Sequence, residues 1–151
     1  MVELKDITKE NYEEIFKLKV AEKQSNFVSS NVYSLAQAWV YKNTAFPFAI
    51  YADGILVGFI MLGYYEEKDQ YTLWKFMIDE GYQHQGYGKK ALKLAIDWLV
   101  DTFHVKKIYT GAAFQNTVAE KLYRSFGFRK TGVSDEFQFE MELIIDSSAV
   151  F

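Results

Sequence analysis

The stretch "IDEGYQHQGYGKK", residues 78–90, gathers more residues that could hold a ligand than any other part of this chain. It follows an aromatic, strand-like run and leads into an apolar, helix-like one. A helix N-terminus carries unpaired N–H groups and the positive end of the helix dipole. Glycine there lets the backbone approach a ligand closely and adopt dihedrals that other residues avoid. Gly86 and Gly88 ahead of Lys89 and Lys90 therefore describe an anion site, most commonly one for phosphate. A glycine-rich turn in front of a helix is the competing reading, because G-x-G alone is a short pattern. Elsewhere such residues are sparse. There are no cysteines, so no disulfide and no thiolate metal site. His84 has no visible partner for proton transfer and suits a loop surface, and His104 suits a helix end, where a cation complements the dipole. No metal site is expected.

The elements that must position this junction follow from periodicity. "VELKDI" alternates apolar and polar residues and predicts a strand. "ENYEEIFKLKVAEKQ" predicts a helix, with Thr8 or Asn11 as its cap, and "SNVYSLAQAWVYK" a second, shorter one. "FPFAIYADGILVGFIMLGYY" sets two apolar runs around Asp53-Gly54, the signature of a two-residue hairpin. Pro47 falls near the start of the first of these strands, where a missing N–H is tolerated. "YTLWKFMID" is the next strand, after the polar turn "EEKDQ". The second half alternates: a helix over "YGKKALKLAIDWLVDTF", a strand over "KKIYTGAAF" and a helix over "TVAEKLYRSFGF". In the last of these Thr117 and Glu120 fit a capping box and Gly127 a C-terminal stop. Two strands, "FRKTGV" and "EFQFEMELII", follow. The fold class is α/β (α+β), a mixed sheet of about seven mostly antiparallel strands with about four helices.

Bulk composition narrows the function. The 151 residues predict a single domain over 1–151. Hydrophobic residues make up 50% of the chain, enough for a sizeable core, and the net charge is −3 with no basic block. Nucleic acid is thereby disfavoured, since phosphate-backbone binding needs a clustered basic face. No apolar run approaches the ~20 residues of a membrane span, and Met1 leads into "VELKDITKE" with no apolar leader stretch, so a cytoplasmic location is expected.

Three phosphate-binding patterns can be tested on the junction. A P-loop counted from Gly81 meets its second glycine at Gly86 but then has Tyr87 where lysine is required. A dinucleotide fingerprint could run from Gly86 through Gly88 to Ala91, yet the following strand ends "YTGAAF" without the acidic residue, and the antiparallel first half does not suit it. The third, Q-x-x-G-x-G, fits Gln83-His84-Gln85-Gly86-Tyr87-Gly88. With it the sequence resembles the GCN5-related N-acetyltransferase (GNAT) family. "NTVAEKLYRSFGF" is similar to the family's second block through Asn116, Ala119, Leu122, Tyr123, Gly127 and Phe128. The order of strands and helices agrees from about residue 2 to residue 144. Within the family the chain is most similar to bacterial spermine/spermidine acetyltransferases.

The resemblance implies acetyl-CoA as acetyl donor, bound in a cleft between the fourth and fifth strands. It implies that Phe76, Met77 and Ile78 offer a strand edge to the pantetheine arm, an arrangement that supplies ready amide groups. It implies that Gln83, Gln85, Gly86, Tyr87, Gly88 and Lys89 line the pyrophosphate and that Asn116 contacts pantetheine; Asn116 also lies where a helix cap belongs. It implies that Tyr123 protonates the departing thiolate. A phenol with a reference pKa of ~10 can donate to a thiolate whose thiol lies near ~8.5.

One position departs from the polyamine enzymes: Trp74 stands where they carry a carboxylate, two residues before Phe76. The base expected is then a water path to solvent, because no acid on the fourth strand is placed for contact; the alternative is an acid from elsewhere, Glu80 first among them. Glu66, Glu67, Asp69, Asp135 and Glu136 could give an acidic surface to a polycation. The acceptor is a primary amine, spermidine or spermine among the candidates. The alternatives are acetylation of a protein N-terminus or lysine, and an acyl-CoA-binding regulatory module without turnover. The apolar C-terminal strand leaves a homodimer open.

Overall fold

The computed structural model describes residues 1–20 and 30–145. Its strands are β1 (Val2–Lys5), β2 (Ala45–Ala52), β3 (Ile55–Tyr65), β4 (Gln70–Ile78), β5 (Lys107–Ala113), β6 (Arg129–Ser134) and β7 (Gln138–Ile144). Its helices are α1 (Tyr12–Lys17), α2 (Asn31–Val40), α3 (Tyr87–Phe103) and α4 (Thr117–Ser125), with a 3-10 turn at Glu80–Tyr82. The strands form one sheet in the order β1-β2-β3-β4-β5-β7-β6. Every neighbouring pair is antiparallel except β4 and β5, which are parallel. The mixed, mostly antiparallel sheet expected from the sequence is the one observed.

Each face of the sheet buries its own cluster. On one side Leu92, Ala95 and Leu99 of α3 and Tyr123 of α4 pack with Ile60, Leu62, Leu73, Ile108 and Met141. On the other, Ile15 of α1 packs with Ala49, Phe59, Met61 and Met77, and Leu35 and Ala38 of α2 close over them. Both sides share the central strands, which explains why β3 is buried along most of its length.

Local expectations hold unevenly. Asp53 and Gly54 both have positive φ, 51° and 81°, as a two-residue hairpin with the twist of its strands demands. The helix expected over residues 10–24 is shorter: α1 ends at Lys17 and Leu18 is extended, with residues 21–24 outside the described set. Asn11 occupies its N-cap position without bonding to the helix. Its side-chain oxygen instead accepts from the Thr8 amide, and its amide nitrogen donates to Asp6 O and Tyr51 Oη. Ser30 caps α2 by accepting from Tyr33 N. At α4 the capping box expected of Thr117 is not formed. Asn116 is the cap, its side-chain oxygen accepting from Ala119 N at 3.2 Å, because the helix starts one residue earlier than that box requires.

Candidate active site

The site begins where two parallel strands part. β4 and β5 pair only through Tyr71–Ile108, Thr72–Tyr109 and Leu73–Thr110. Beyond that rung β4 runs on to Ile78 against β3 alone, and β5 runs on to Ala113 against β7 alone. The edges of residues 74–78 and 111–113 thus face each other without pairing. A cavity of about 440 Å³ fills the gap, lined by Trp74 to Ile78 of β4, Thr110 to Ala113 of β5, Asn116 and Tyr123 of the α4 segment, and Gln83, His84 and Gly88 of the glycine-rich loop. Unpaired strand edges of this kind accept an extended ligand through main-chain hydrogen bonds.

A second irregularity shapes the same place. Met61 of β3 pairs with Lys75, but Leu62 pairs with Leu73, so Trp74 is an extra residue, a β-bulge. Leu73, Phe76 and Ile78 join the cluster under α3, whereas Trp74 and Met77 join the cluster under α1 and α2. Between Leu73 and Phe76 the bulge therefore turns both Trp74 and Lys75 to the α1/α2 side. The Trp74 indole lies across Gly63 of β3, packs edge-on to Tyr41 and tilts against Tyr65. Its N–H is buried with no acceptor among the described residues. Lys75 is only 6% exposed and forms no ion pair or hydrogen bond among them. Burial without a counter-charge lowers its ammonium to about 8.

The loop beyond β4 is held from both ends. Asp79 accepts from Lys19 N and from Gly81 N, and Gln83 Nε2 donates to Ile78 O at 2.9 Å. Gly86 is the N-cap of α3 with φ 82°, and no side chain caps the helix. The first-turn amides of Tyr87, Gly88 and Lys89 are therefore left without helical acceptors, the arrangement an anion needs. Gln83 and Gly88 reach the cavity. Gln85, Gly86, Tyr87 and Lys89 do not line it, and the Lys89 side chain lies with Lys90 and Lys93 along a separate depression beside Val2 and Phe126.

Tyr123 stands at the apex of the split. It is buried, its ring lies 5.6 Å from that of Phe128, and it shares a hydrogen bond with Thr110, the residue on the last β4–β5 rung. Burial raises its pKa above the usual phenol range, and the Thr110 bond offsets part of that rise. The hydroxyl is thus kept protonated at neutral pH. Asn116 lines the cavity too, with its side-chain oxygen already committed to the α4 cap.

Sequence reasoning offered several acids, and none of them lines the cavity. Glu80 is exposed on the 3-10 turn. Glu66, Glu67 and Asp69 lie in the β3–β4 turn, at the opposite end of β4 from the split. Asp135 and Glu136 sit in the β6–β7 turn next to Gln138, which does line the cavity. Asp135 accepts from Phe137 N and Gln138 N, and these bonds hold its carboxyl below the usual range. Lys75 was missed because it is an ordinary strand lysine by composition. Its one signal in the sequence is its place between aromatic residues in a strand that both faces bury.

Comparison with known proteins agrees with this geometry. Residues 6–128 match the family model described as the acetyltransferase (GNAT) family. The spermine/spermidine N(1)-acetyltransferase of Bacillus subtilis (strain 168) is 35% identical over 143 residues, covering 89% of this chain and 91% of that protein. An acetyltransferase from Thermus thermophilus superposes with a TM-score of 0.77 at 19% identity, covering 96% of this chain and 97% of the other. The spermidine N-acetyltransferase of Vibrio cholerae, solved with CoA and spermine, gives 0.76 at 18% identity, covering 95% of each chain. With both sequence blocks at the mouth of the parted strands and a family match over most of its length, the chain belongs to the GNAT family of acetyltransferases, whose acetyl donor is acetyl-CoA.

Proposed function

We propose that this acetyltransferase moves the acetyl group of acetyl-CoA to a primary amine of a polyamine such as spermidine or spermine, with Tyr123 as the acid that protonates the leaving thiolate. The observation that carries the choice of acceptor is the 35% identity, over nearly the whole chain, to a protein that acts on spermine and spermidine. The geometry supports the chemistry. An extended pantetheine arm suits the free edge of Phe76, Met77 and Ile78, and the pyrophosphate suits the uncapped amides after Gly86. Such a path would set the thioester near the apex of the split, where Tyr123 lines the cavity.

The neutral amine attacks the acetyl carbonyl, a C–N bond forms and the C–S bond breaks. Tyr123 gives its proton to the sulfur and is reprotonated by the proton that the new amide nitrogen sheds. Asp135 and Glu136, in the β6–β7 turn next to the cavity-lining Gln138, would favour the distant ammonium groups of a polycation. Thiol release from acetyl-CoA, followed across spermidine, spermine, short monoamines and a peptide with a free N-terminus, tests the proposal. Spermidine and spermine should give the highest kcat/KM. Preference for the peptide would replace the polyamine with a protein N-terminus, and release that no amine accelerates would remove the transferase reaction itself.

A further inference from the structure

The attacking amine must lose a proton, and the cavity holds one group placed to take it. An aliphatic ammonium has a pKa near ~10.4 and is not nucleophilic until deprotonated. No carboxylate lines the cavity among the described residues; its titratable members are Lys75, His84 and Tyr123. Tyr123 is held protonated for the leaving group. His84 lies on the glycine-rich loop, at the end of the cavity where the helix amides gather. Lys75 is the position on β4 just past the bulge and two residues beyond the last β4–β5 rung. It belongs to the α1/α2 side of the sheet, while Tyr123 belongs to the α3/α4 side, and the cavity joins the two through the split. Lys75 and Tyr123 thus border the split from different sides, with room for an acyl group between them.

We propose that Lys75, as the neutral amine, accepts the proton of the incoming ammonium, which is then released to solvent after the acetyl group has moved. The inference rests on the reading of the chain as an amine acetyltransferase and adds the base that reading lacks. Lys75 is buried with no anionic partner among the described residues, so it becomes neutral at a lower pH than an exposed lysine, and its pKa of about 8 arises from burial alone. Among those residues no charged group faces it from the elements around it. Met61 is its neighbour on β3, and Tyr41 from the end of α2 and Tyr65 of β3 rest on the adjacent Trp74. Thr110 and Gly111 line the cavity from β5, and Tyr123 from α4. A cationic substrate entering beside it disfavours the lysine's charge further. The transfer is between two amines, uphill by far less than transfer to an ordinary carboxylate.

The pH dependence of kcat/KM with spermidine tests this on the wild-type enzyme. If Lys75 is the base, kcat/KM rises with pH and levels off above about 8. If water alone removes the proton, it climbs on toward the amine's own pKa of ~10.4, and that outcome overturns the proposal. Lys75→Met keeps the aliphatic stem and removes the amine; Lys75→Arg keeps the charge but cannot release its proton. Both should lower kcat/KM at a pH of about 8 on the order of 10²-fold, lose the plateau and leave acetyl-CoA affinity unchanged. A weakly basic fluoroalkylamine, already neutral at that pH, should react with wild type and Lys75→Met at similar rates, which a merely structural lysine would not produce. An equal loss with both amines, or a plateau that survives in Lys75→Met, overturns the proposal while leaving the acetyltransferase reading intact. If no amine is acetylated by the wild type, both fall.

Discussion

Removing one oxygen atom separates the chemistry of Tyr123 from its packing. Tyr123→Phe keeps the ring against Phe128 and deletes the hydroxyl. The structural cost is the bond shared with Thr110, which is itself 2% exposed and would be left without that partner. An orphaned buried hydroxyl costs roughly 1–3 kcal/mol. For a chain of this length each kcal/mol lowers Tm by about 2–4 °C, so the variant should stay folded at assay temperature. The catalytic cost is larger, because general acid catalysis supplies about 10²–10⁴-fold. Stopped assays of thiol release should show kcat down by at least ~10²-fold, while calorimetric affinity for acetyl-CoA stays unchanged. The direction of the pKa shift sets the pH behaviour. Tyr123 is raised, so its acid form persists through neutrality, and the activity it supports is lost only as pH rises through a value above the usual ~10. Wild-type kcat in Tyr123→Phe would refute the assignment, and a collapse of acetyl-CoA affinity would show that the hydroxyl binds rather than donates.

Two further changes test the frame around the site. A Cβ at Gly86 meets nothing within 4 Å, yet its φ of 82° is one that branched residues avoid, so Gly86→Val should weaken acetyl-CoA binding through the backbone, and unchanged affinity in calorimetry would remove this loop from the cofactor site. A Cβ at Gly63 would lie 1.9 Å from the Trp74 ring, so Gly63→Ala should displace the indole, disturb the bulge that aims Lys75 and cost roughly 1–3 kcal/mol in denaturant unfolding; full stability would mean that the indole has another place to go.

Much of the fold was legible because its signals are local. The helix expected over residues 87–103 coincides with α3, since a 3.6-residue apolar stripe, glycines before it and His104 after it all act within one segment. The Asp53-Gly54 hairpin was legible for the same reason. Gln83, Gly88, Asn116 and Tyr123, drawn from two blocks far apart in the chain, line one cavity. What escaped depends on pairing between distant residues. Nothing in β4 or β5 alone says that they pair for three rungs and then part. The bulge at Trp74 breaks the two-residue period, so counting back from Phe76 found an indole and passed over the lysine beside it. Lys89, which the resemblance sets at the pyrophosphate, lines a separate depression with Lys90 and Lys93, a placement that depends on the turn of α3.

Amide hydrogen exchange with and without CoA tests most directly whether the parted strands and the uncapped helix start hold acetyl-CoA. New protection is expected at the β4 amides of residues 75–78 that face β5, at residues 86–89, and around Asn116. Those β4 amides that already bond to β3 should not change. Protection confined to other surfaces, such as the depression beside Lys90 and Lys93, would mean that acetyl-CoA binds elsewhere.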